Sequence, residues 1–220
     1  MIEIKKNKEP NKLLKYRKST GANYISMDLD VKEAVKESLL NEQGYLCAYC
    51  MRRIPESTAE SGMKIEHWDP RNQEDGSGNK RELDYKNMLG VCLGNQGCGN
   101  KHMLTCDSSK GNTPMYLNPC DAKTLESIYY SNNGEIKSDN EVVKHELNVV
   151  LNLNCDDVSF KDNRKKVLLE VKKKINDYSE GNNDAYCMKV LEELKHEQGK
   201  QTPFKGIAIW WLEKRLKREL

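Results

Sequence analysis

Residues 46–54 read LCAYCMRRI and hold the pattern that decides the fold, a Cys-x2-Cys pair formed by Cys47 and Cys50. Two cysteines at this spacing lie on one tight turn and direct both thiolates at a single zinc ion. A tetrahedral site needs two more ligands, and Cys92 and Cys106 lie downstream in the chain. We therefore predict a structural zinc site made of four cysteines.

The second half of this site departs from the simple pattern. Residues 93–105, which are rich in Gly and Asn, separate Cys92 from Cys106, and we interpret them as an inserted loop. Cys98 or His102, both inside the loop, could replace one ligand of the second pair, and this alternative stays open. Three further cysteines stand alone in the sequence and are expected to be buried free thiols: Cys120, Cys155 and Cys187.

The cysteine content also fits a second hypothesis, a secreted domain held together by disulfides. The first residues, MIEIKK, lack the apolar segment of a secretory signal. The longest apolar run, residues 207–212, is far shorter than the roughly 18–20 residues of a membrane span. We therefore expect a cytoplasmic protein, in which clustered cysteines hold a metal ion.

Length and charge constrain the function less than the cysteines do. The chain has 220 residues, enough for one compact domain or one and a half. A net charge of +2 gives no global argument for nucleic-acid binding. Lys and Arg are concentrated in residues 1–18 and 161–174, which we interpret as solvated surfaces, with a nucleic-acid path as the alternative.

Hydrophobic periodicity predicts an α+β fold in three regions. Residues 1–30 are predicted as an extended N-terminal arm, residues 31–120 as the zinc-containing core, and residues 121–220 as a mainly helical region. The predicted elements are a helix over 31–43 ended by Gly44, hairpins over 45–54 and 128–137, a strand over 63–67, a loop over 69–81, a short helix over 106–112, and helices over 160–178, 187–194 and 207–220.

Three short motifs within the zinc frame carry candidate chemistry. Residues 65–70 read IEHWDP, residues 87–92 read NMLGVC, and residues 106–111 read CDSSKG. Each motif alone is weak evidence for catalytic chemistry, because Asn87 could cap a turn and Asp107 could cap a short helix. Their order and spacing are more specific than any one of them.

Together the motifs resemble the HNH, or ββα-metal, endonuclease pattern: C-x2-C, (D/E)-H-x-x-P, N-L-x-x-x-C and C-(N/H/D)-x-x-K-G. The chain departs from it in the split second cysteine pair, in Asp107 as the third letter, and in Met88 where Leu is usual. The wider chain is similar to one HNH subfamily, the PtuB nuclease subunits of the Septu anti-phage system, which also occur beside some retrons. Further segments carry that likeness: residues 17–24, 46–54, 64–68, 83–89, 106–112, 118–119, 151–154 and 163–165.

The resemblance implies a fold, a mechanism and a partner. The fold would be a zinc-stabilised ββα-metal core, with Cys47, Cys50, Cys92 and Cys106 holding a closed structural zinc site. The resemblance also implies an anti-phage role beside an ATPase subunit similar to PtuA.

In that mechanism His67 is the general base and Asn87 orients it. Glu66 and Asp107 hold a catalytic Mg²⁺ or Mn²⁺, while Lys110 and His102 contact phosphate. The substrate is expected to be DNA, with RNA, including tRNA, left open because such a site binds phosphate rather than sugar. The alternative function is a non-catalytic zinc module that binds nucleic acid or a partner protein.

Overall fold

The computed structural model describes residues 1–55, 62–72 and 80–217. These residues form a mixed α/β fold with two small antiparallel sheets. The strands are β1 (Lys64–His67), β2 (Met88–Val91), β3 (Ile128–Tyr130) and β4 (Ile136–Ser138). The helices are α1 (Asn11–Tyr16), α2 (Leu29–Glu42), α3 (Cys106–Lys110), α4 (Ala122–Leu125), α5 (Glu141–His145), α6 (Phe160–Asn176), α7 (Asn183–Lys195) and α8 (Gly206–Lys217).

The first sheet lies in the core and positions two of the three motifs. Strands β1 and β2 pair antiparallel, with Glu66 opposite Leu89 and His67 opposite Met88. All four residues of β2 are buried. The other edge of β2 bonds the side chain of Gln43, which accepts from the Gly90 amide and donates to the Gly90 carbonyl, both at 2.7 Å. The end of α2 is thereby joined to the strand that leads into Cys92.

Helix α2 matches the helix predicted over residues 31–43. Its apolar residues Val31, Val35 and Leu39 recur at a spacing of four and are buried on one face. Gly44 follows the helix with a φ of +59°, and a Cβ at that position would overlap the side chain of Gln201. Glycine therefore both ends the helix and lets the C-terminal segment approach.

The predicted extended N-terminal arm is only partly extended, because residues 11–16 form α1. This helix follows Pro10, whose fixed φ suits a helix start. Leu13 is its buried residue, and α1 packs against α2. The single buried side chain left no periodic signal in the sequence.

The C-terminal region contains the predicted hairpin, formed by β3 and β4, and the three predicted helices, α6, α7 and α8. The sequence did not predict α5 or the π-helical turn Glu146–Val150 that continues it. Helix α8 packs against both α6 and α7. The predicted loop over 69–81 and the end of the last predicted helix lie partly outside the described residues.

The basic segment 161–174 is not wholly a solvated surface, because Arg164 is buried. Its guanidinium donates to the carbonyls of Gly134 and Leu153 at 2.9 and 2.7 Å. Arg164 therefore joins α6 to the hairpin turn and to the chain that follows the π-helical turn. Among the described residues, no helix combines the length and the apolar character needed to cross a membrane.

A four-cysteine centre beside a histidine and carboxylate site

The structure brings Cys47, Cys50, Cys92 and Cys106 together in the core, with all four sulfurs within 4.8 Å of one another. Three of the Sγ–Sγ separations are 3.8, 3.8 and 3.9 Å. Tetrahedral zinc with Zn–S bonds of about 2.3 Å requires S–S separations of about 3.8 Å. The donor set and its spacing therefore fit a structural metal ion such as zinc.

Burial opposes the ionisation of Cys50 and Cys106 in the absence of a cation. Burial raises the pKa of Cys50 and Cys106 well above the ordinary value for a thiol. Four buried thiolates would repel one another unless a cation neutralised them. Metal binding would therefore release protons and hold the surrounding segments together.

The backbone conformation around the cysteines brings the four sulfurs together. Cys106 begins α3 with a φ of +54°, a conformation that costs energy for a residue other than glycine. Its amide donates to the Leu151 carbonyl at 2.9 Å, so the C-terminal region holds this ligand. Gly94, with a φ of +56°, allows close approach, because a Cβ there would lie 2.1 Å from the Thr105 carbonyl oxygen.

The two alternative zinc ligands lie outside the cluster. Cys98 is exposed and its thiol donates to the Asn100 carbonyl at 3.3 Å. His102 is also exposed, on the short 3-10 helix Lys101–Met103. Of the three isolated cysteines, Cys187 is buried, whereas Cys120 and Cys155 are half-buried.

His67 lies at the end of β1 with its ring almost fully buried. Its Nε2 lies 2.9 Å from the carbonyl oxygen of Glu82. A carbonyl can only accept, so the neutral ring carries its proton on Nε2 and leaves Nδ1 as an acceptor. Burial lowers the pKa of His67 to about 4, against the opposing effect of the bond to Glu82. The imidazole is therefore neutral near pH 7.

Glu66 and Asp107 are neighbouring carboxyl groups, and each acts on the pKa of the other. Burial raises the pKa of Glu66, the neighbouring Asp107 adds to that rise, and the Lys110 ammonium opposes it. Burial acts in the same direction on Asp107, but its bonds to Glu66 and Lys64 outweigh it and leave the pKa below its ordinary value. Burial and the Lys110 ammonium therefore act in opposite directions on Glu66, whereas Asp107 is ionised near neutral pH.

Two lysines lie against this pair. Lys110 Nζ is 2.8 Å from Glu66 Oε1, with its side chain fully buried, and Lys64 Nζ is 2.9 Å from Asp107 Oδ2. Tyr49 also donates to Glu66 Oε1, at 3.1 Å. The carboxylates are thus fixed in place by donors from three different segments of the chain.

Asn87, which is fully buried, bonds the loop that follows His67. Its Oδ1 accepts from the Asp69 amide at 2.8 Å, and its Nδ2 donates to the Asp69 carbonyl at 3.0 Å. A third bond, at 3.3 Å, reaches the Arg81 carbonyl. The Asn87 side chain therefore fixes the backbone at Asp69, two residues after His67. It also fixes the backbone at Arg81, next to the Glu82 carbonyl that lies at the His67 ring.

Of the two predicted phosphate-contacting residues, Lys110 is buried and His102 is exposed. Lys110 points into the core, where it also donates to the His67 carbonyl at 3.3 Å. Lys110 ends the five-residue helix that Cys106 begins. The carboxylate of Glu66 draws its side chain into the core. His102 is linked to its neighbours through its backbone, by bonds to Asn100, Asn152 and Cys155.

Sequence reasoning missed two residues that lie at the His67 ring. Tyr24 contacts it edge to face, with ring centroids 4.6 Å apart at 89°. The Arg71 guanidinium lies over the Tyr24 ring, 4.5 Å from its centroid. Tyr24 ends the segment 17–24 that carries the family likeness, and Arg71 directly follows the EHWDP motif; these positions were the available signals.

Comparison with known proteins gives a partial match. No family profile matches the chain. Over 80 residues, the chain is 34% identical to a retron Ec83 putative HNH endonuclease from Escherichia coli. The match covers 34% of this chain and 31% of the relative, so the chain spans about a third of that protein's length. The similarity supports the HNH endonuclease family and a nuclease activity in general.

Proposed function

We propose that the protein is a metal-dependent HNH endonuclease that hydrolyses phosphodiester bonds of nucleic acid. In this proposal β1, β2 and α3 are the ββα element of the nuclease core. The observation that carries it is the juxtaposition of a neutral His67, whose Nε2 is committed to Glu82, with the carboxyl pair of Glu66 and Asp107.

His67 acts as the general base through Nδ1. Because the Glu82 carbonyl holds the Nε2 proton, the ring presents one nitrogen that can accept a proton from water. As the ring becomes imidazolium, the same carbonyl and the nearby Asp107 carboxylate stabilise its charge. Asn87 keeps the ring in place by fixing the loop that follows it.

Glu66 and Asp107 are the residues that would hold a catalytic divalent ion. Mg²⁺ and Mn²⁺ prefer oxygen ligands, and Mg²⁺ is commonly bound by one or two carboxylates together with substrate phosphate. The two carboxyl groups are close enough to act on each other's pKa, and a cation bound by both would offset their negative charges. When bound, such an ion supplies Lewis-acid stabilisation of the phosphate and the leaving oxygen.

The four-cysteine centre has a structural role in this proposal. A zinc ion with four thiolate ligands has no open position for a reacting water. All four cysteines are buried, which supports a closed site. Its contribution is folding energy for a sheet of only two four-residue strands.

The proposed biological role is that of the effector nuclease in an anti-phage defence complex with an ATPase subunit. The similarity to a retron HNH endonuclease and the resemblance to the Septu nuclease subunits support it. Co-expression with such an ATPase and affinity purification tests the partnership. Recovery of the tagged ATPase without the nuclease would count against it.

Cleavage assays with His67→Ala test the enzymatic proposal. Labelled duplex DNA and tRNA are incubated with the protein in Mg²⁺ or Mn²⁺, and loss of the base is expected to slow cleavage by about 10²–10⁴-fold. His145→Ala, which removes an exposed histidine on α5, is the matched control and is expected to cut like the wild type. Unchanged cutting by His67→Ala would remove the base assignment. Tight zinc with no cleavage by any preparation would favour the non-catalytic zinc module.

A further inference from the structure

The positive charges around the His67 site are not equivalent. Lys64 and Lys110 are each paired with a carboxylate, and the Arg81 guanidinium lies 3.3 Å from Asp84. By contrast, the guanidinium of Arg71 has no carboxylate partner within residues 1–55, 62–72 and 80–217. Within those residues its charge is unpaired, whereas each of the other three cations lies against a carboxylate.

The Arg71 side chain is held by an aromatic surface. Its guanidinium lies over the ring of Tyr24, 4.5 Å from the centroid, and the Lys32 ammonium lies 5.7 Å from the same ring. A guanidinium packed on an aromatic face is fixed in orientation while its N–H donors stay unused. Tyr24 thereby orders the cation without competing for its hydrogen bonds.

This arrangement lies directly at the reacting groups. The Tyr24 ring also packs edge-on against His67, so one aromatic residue joins the Arg71 guanidinium to the imidazole. The charge of Arg71 contributes to lowering the pKa of His67. The carboxyl groups of Asp107 and Glu66 contribute to raising the pKa of the Tyr24 hydroxyl. Arg71, Tyr24 and His67 therefore form one contiguous set of side chains.

We propose that Arg71, held on Tyr24, forms a phosphate clamp that binds the non-bridging oxygens of the nucleic-acid phosphate next to His67. In this clamp Arg71 is the substrate-binding residue, and Tyr24 is a positioning residue that acts through Arg71 and His67. The planar guanidinium matches two phosphate oxygens with two parallel donors. The inference rests on the proposed nuclease function for the identity of the ligand as a phosphodiester.

Binding measurements in the His67→Ala background test the clamp without cutting the probe. The full chain is titrated against a fluorescein-labelled 30-base-pair DNA duplex in Mg²⁺, at several KCl concentrations. Adding Arg71→Met is expected to raise Kd about tenfold. It is also expected to reduce the slope of log K against log[salt] by about 0.9, because one phosphate contact is lost. A parallel titration with tRNA identifies which polymer supplies the phosphate, and the Arg71 effect is expected on the tighter binder.

Variants of Tyr24 separate a positioning role from a structural one. Tyr24→Phe keeps the ring and is expected to bind like the parent, whereas Tyr24→Leu is expected to weaken binding as Arg71→Met does. The Arg71→Met/Tyr24→Leu double variant is expected to lose little more than either single variant, because both disrupt one contact. Lys144→Met, which removes an exposed cation on α5, is the charge-matched control and is expected to leave Kd and salt slope unchanged.

The outcomes distinguish the clamp from the nuclease proposal. An Arg71→Met protein that keeps its thermal stability, Kd and salt slope overturns the clamp, and so does a parent chain that binds neither polymer. With His67 present, Arg71→Met is expected to raise KM for cleavage more than it lowers kcat. If the wild type cuts nothing but Arg71 still sets the salt slope, the clamp stands and the nuclease proposal fails.

Discussion

The four-cysteine centre and the His67 site are neighbours built on opposite principles. In the first, four buried sulfurs face only one another, at separations that fit tetrahedral zinc. In the second, each carboxylate is fixed by a lysine, while Arg71 is held on Tyr24 without a carboxylate partner among the described residues. A closed set of like ligands stabilises a fold, whereas a set of unlike groups with unused donors can bind and react.

Helix α3 contributes residues to both sites. Cys106 and Asp107 are consecutive residues at the start of α3, and they contribute to different sites. Lys110, at the end of the same helix, reaches Glu66 on β1. A metal ion in the cysteine centre would therefore position two residues of the His67 site, and the first prediction separates that support from the chemistry.

Cys47→Ser is expected to have the largest effect. Structural zinc contributes about 10–16 kcal/mol in small zinc domains, which is as large as the stability of most proteins. Loss of one ligand should remove the bound zinc and the cooperative unfolding transition. Metal analysis and thermal denaturation measure both. Cys98→Ser, which removes an exposed thiol from the adjacent loop, should change neither, and a Cys47→Ser protein with full zinc and an unchanged Tm would contradict the closed site.

Glu66→Gln should damage the His67 site and leave the cysteine centre loaded. Without the carboxylate, the fully buried Lys110 ammonium loses its counter-charge, at a cost of about 3 kcal/mol. Adding Lys110→Met removes the unpaired charge and should recover most of that stability, without restoring cleavage. Urea unfolding measures the loss of stability, and metal analysis shows whether the cysteine centre keeps its zinc. A double variant less stable than Glu66→Gln alone would show that the pair is not the source of the loss.

Gly94→Ala should weaken the cysteine centre through the backbone alone. A Cβ at this position meets the Thr105 carbonyl at 2.1 Å in a left-handed conformation, so we expect a loss of about 2 kcal/mol and weaker zinc retention. Gly97→Ala is the matched control, because Gly97 also has a positive φ but open space around it, and should cost about 1 kcal/mol. Competition with a chromophoric chelator reports the zinc retention, and equal effects at both positions would argue against the close approach.

Addition of Mg²⁺ should have the smallest effect on stability. At about ten times its Kd, an ion that binds only the folded state adds about 1.4 kcal/mol, which raises Tm by about 3–5 °C in a chain of this size. Asp107→Asn should abolish that shift while leaving zinc content unchanged. A Mg²⁺ shift that persists in Asp107→Asn would place the ion elsewhere.

The parts of the molecule that could be predicted from sequence are those with local or repeating signals. The Cys-x2-Cys turn, the α2 periodicity and the helices α6 to α8 follow from residue spacing over a few turns. The isolated helix α1 has one buried side chain and left no such signal. The burial of Lys110 depends on Glu66, which is distant in sequence. The burial of Arg164 depends in the same way on the carbonyls of Gly134 and Leu153.

The amino-acid sequence by itself determined which residue types are available for metal and acid–base chemistry, because thiol, imidazole and carboxyl groups are properties of single residues. Only the tertiary structure decided what each one does. It neutralised Lys64 and Lys110, placed Tyr24 from the N-terminal arm against His67, and left Arg71 as a cation without a carboxylate partner among the described residues. Charge pairing and burial act over a few ångströms in space, and such proximity between distant segments arises only when the chain folds.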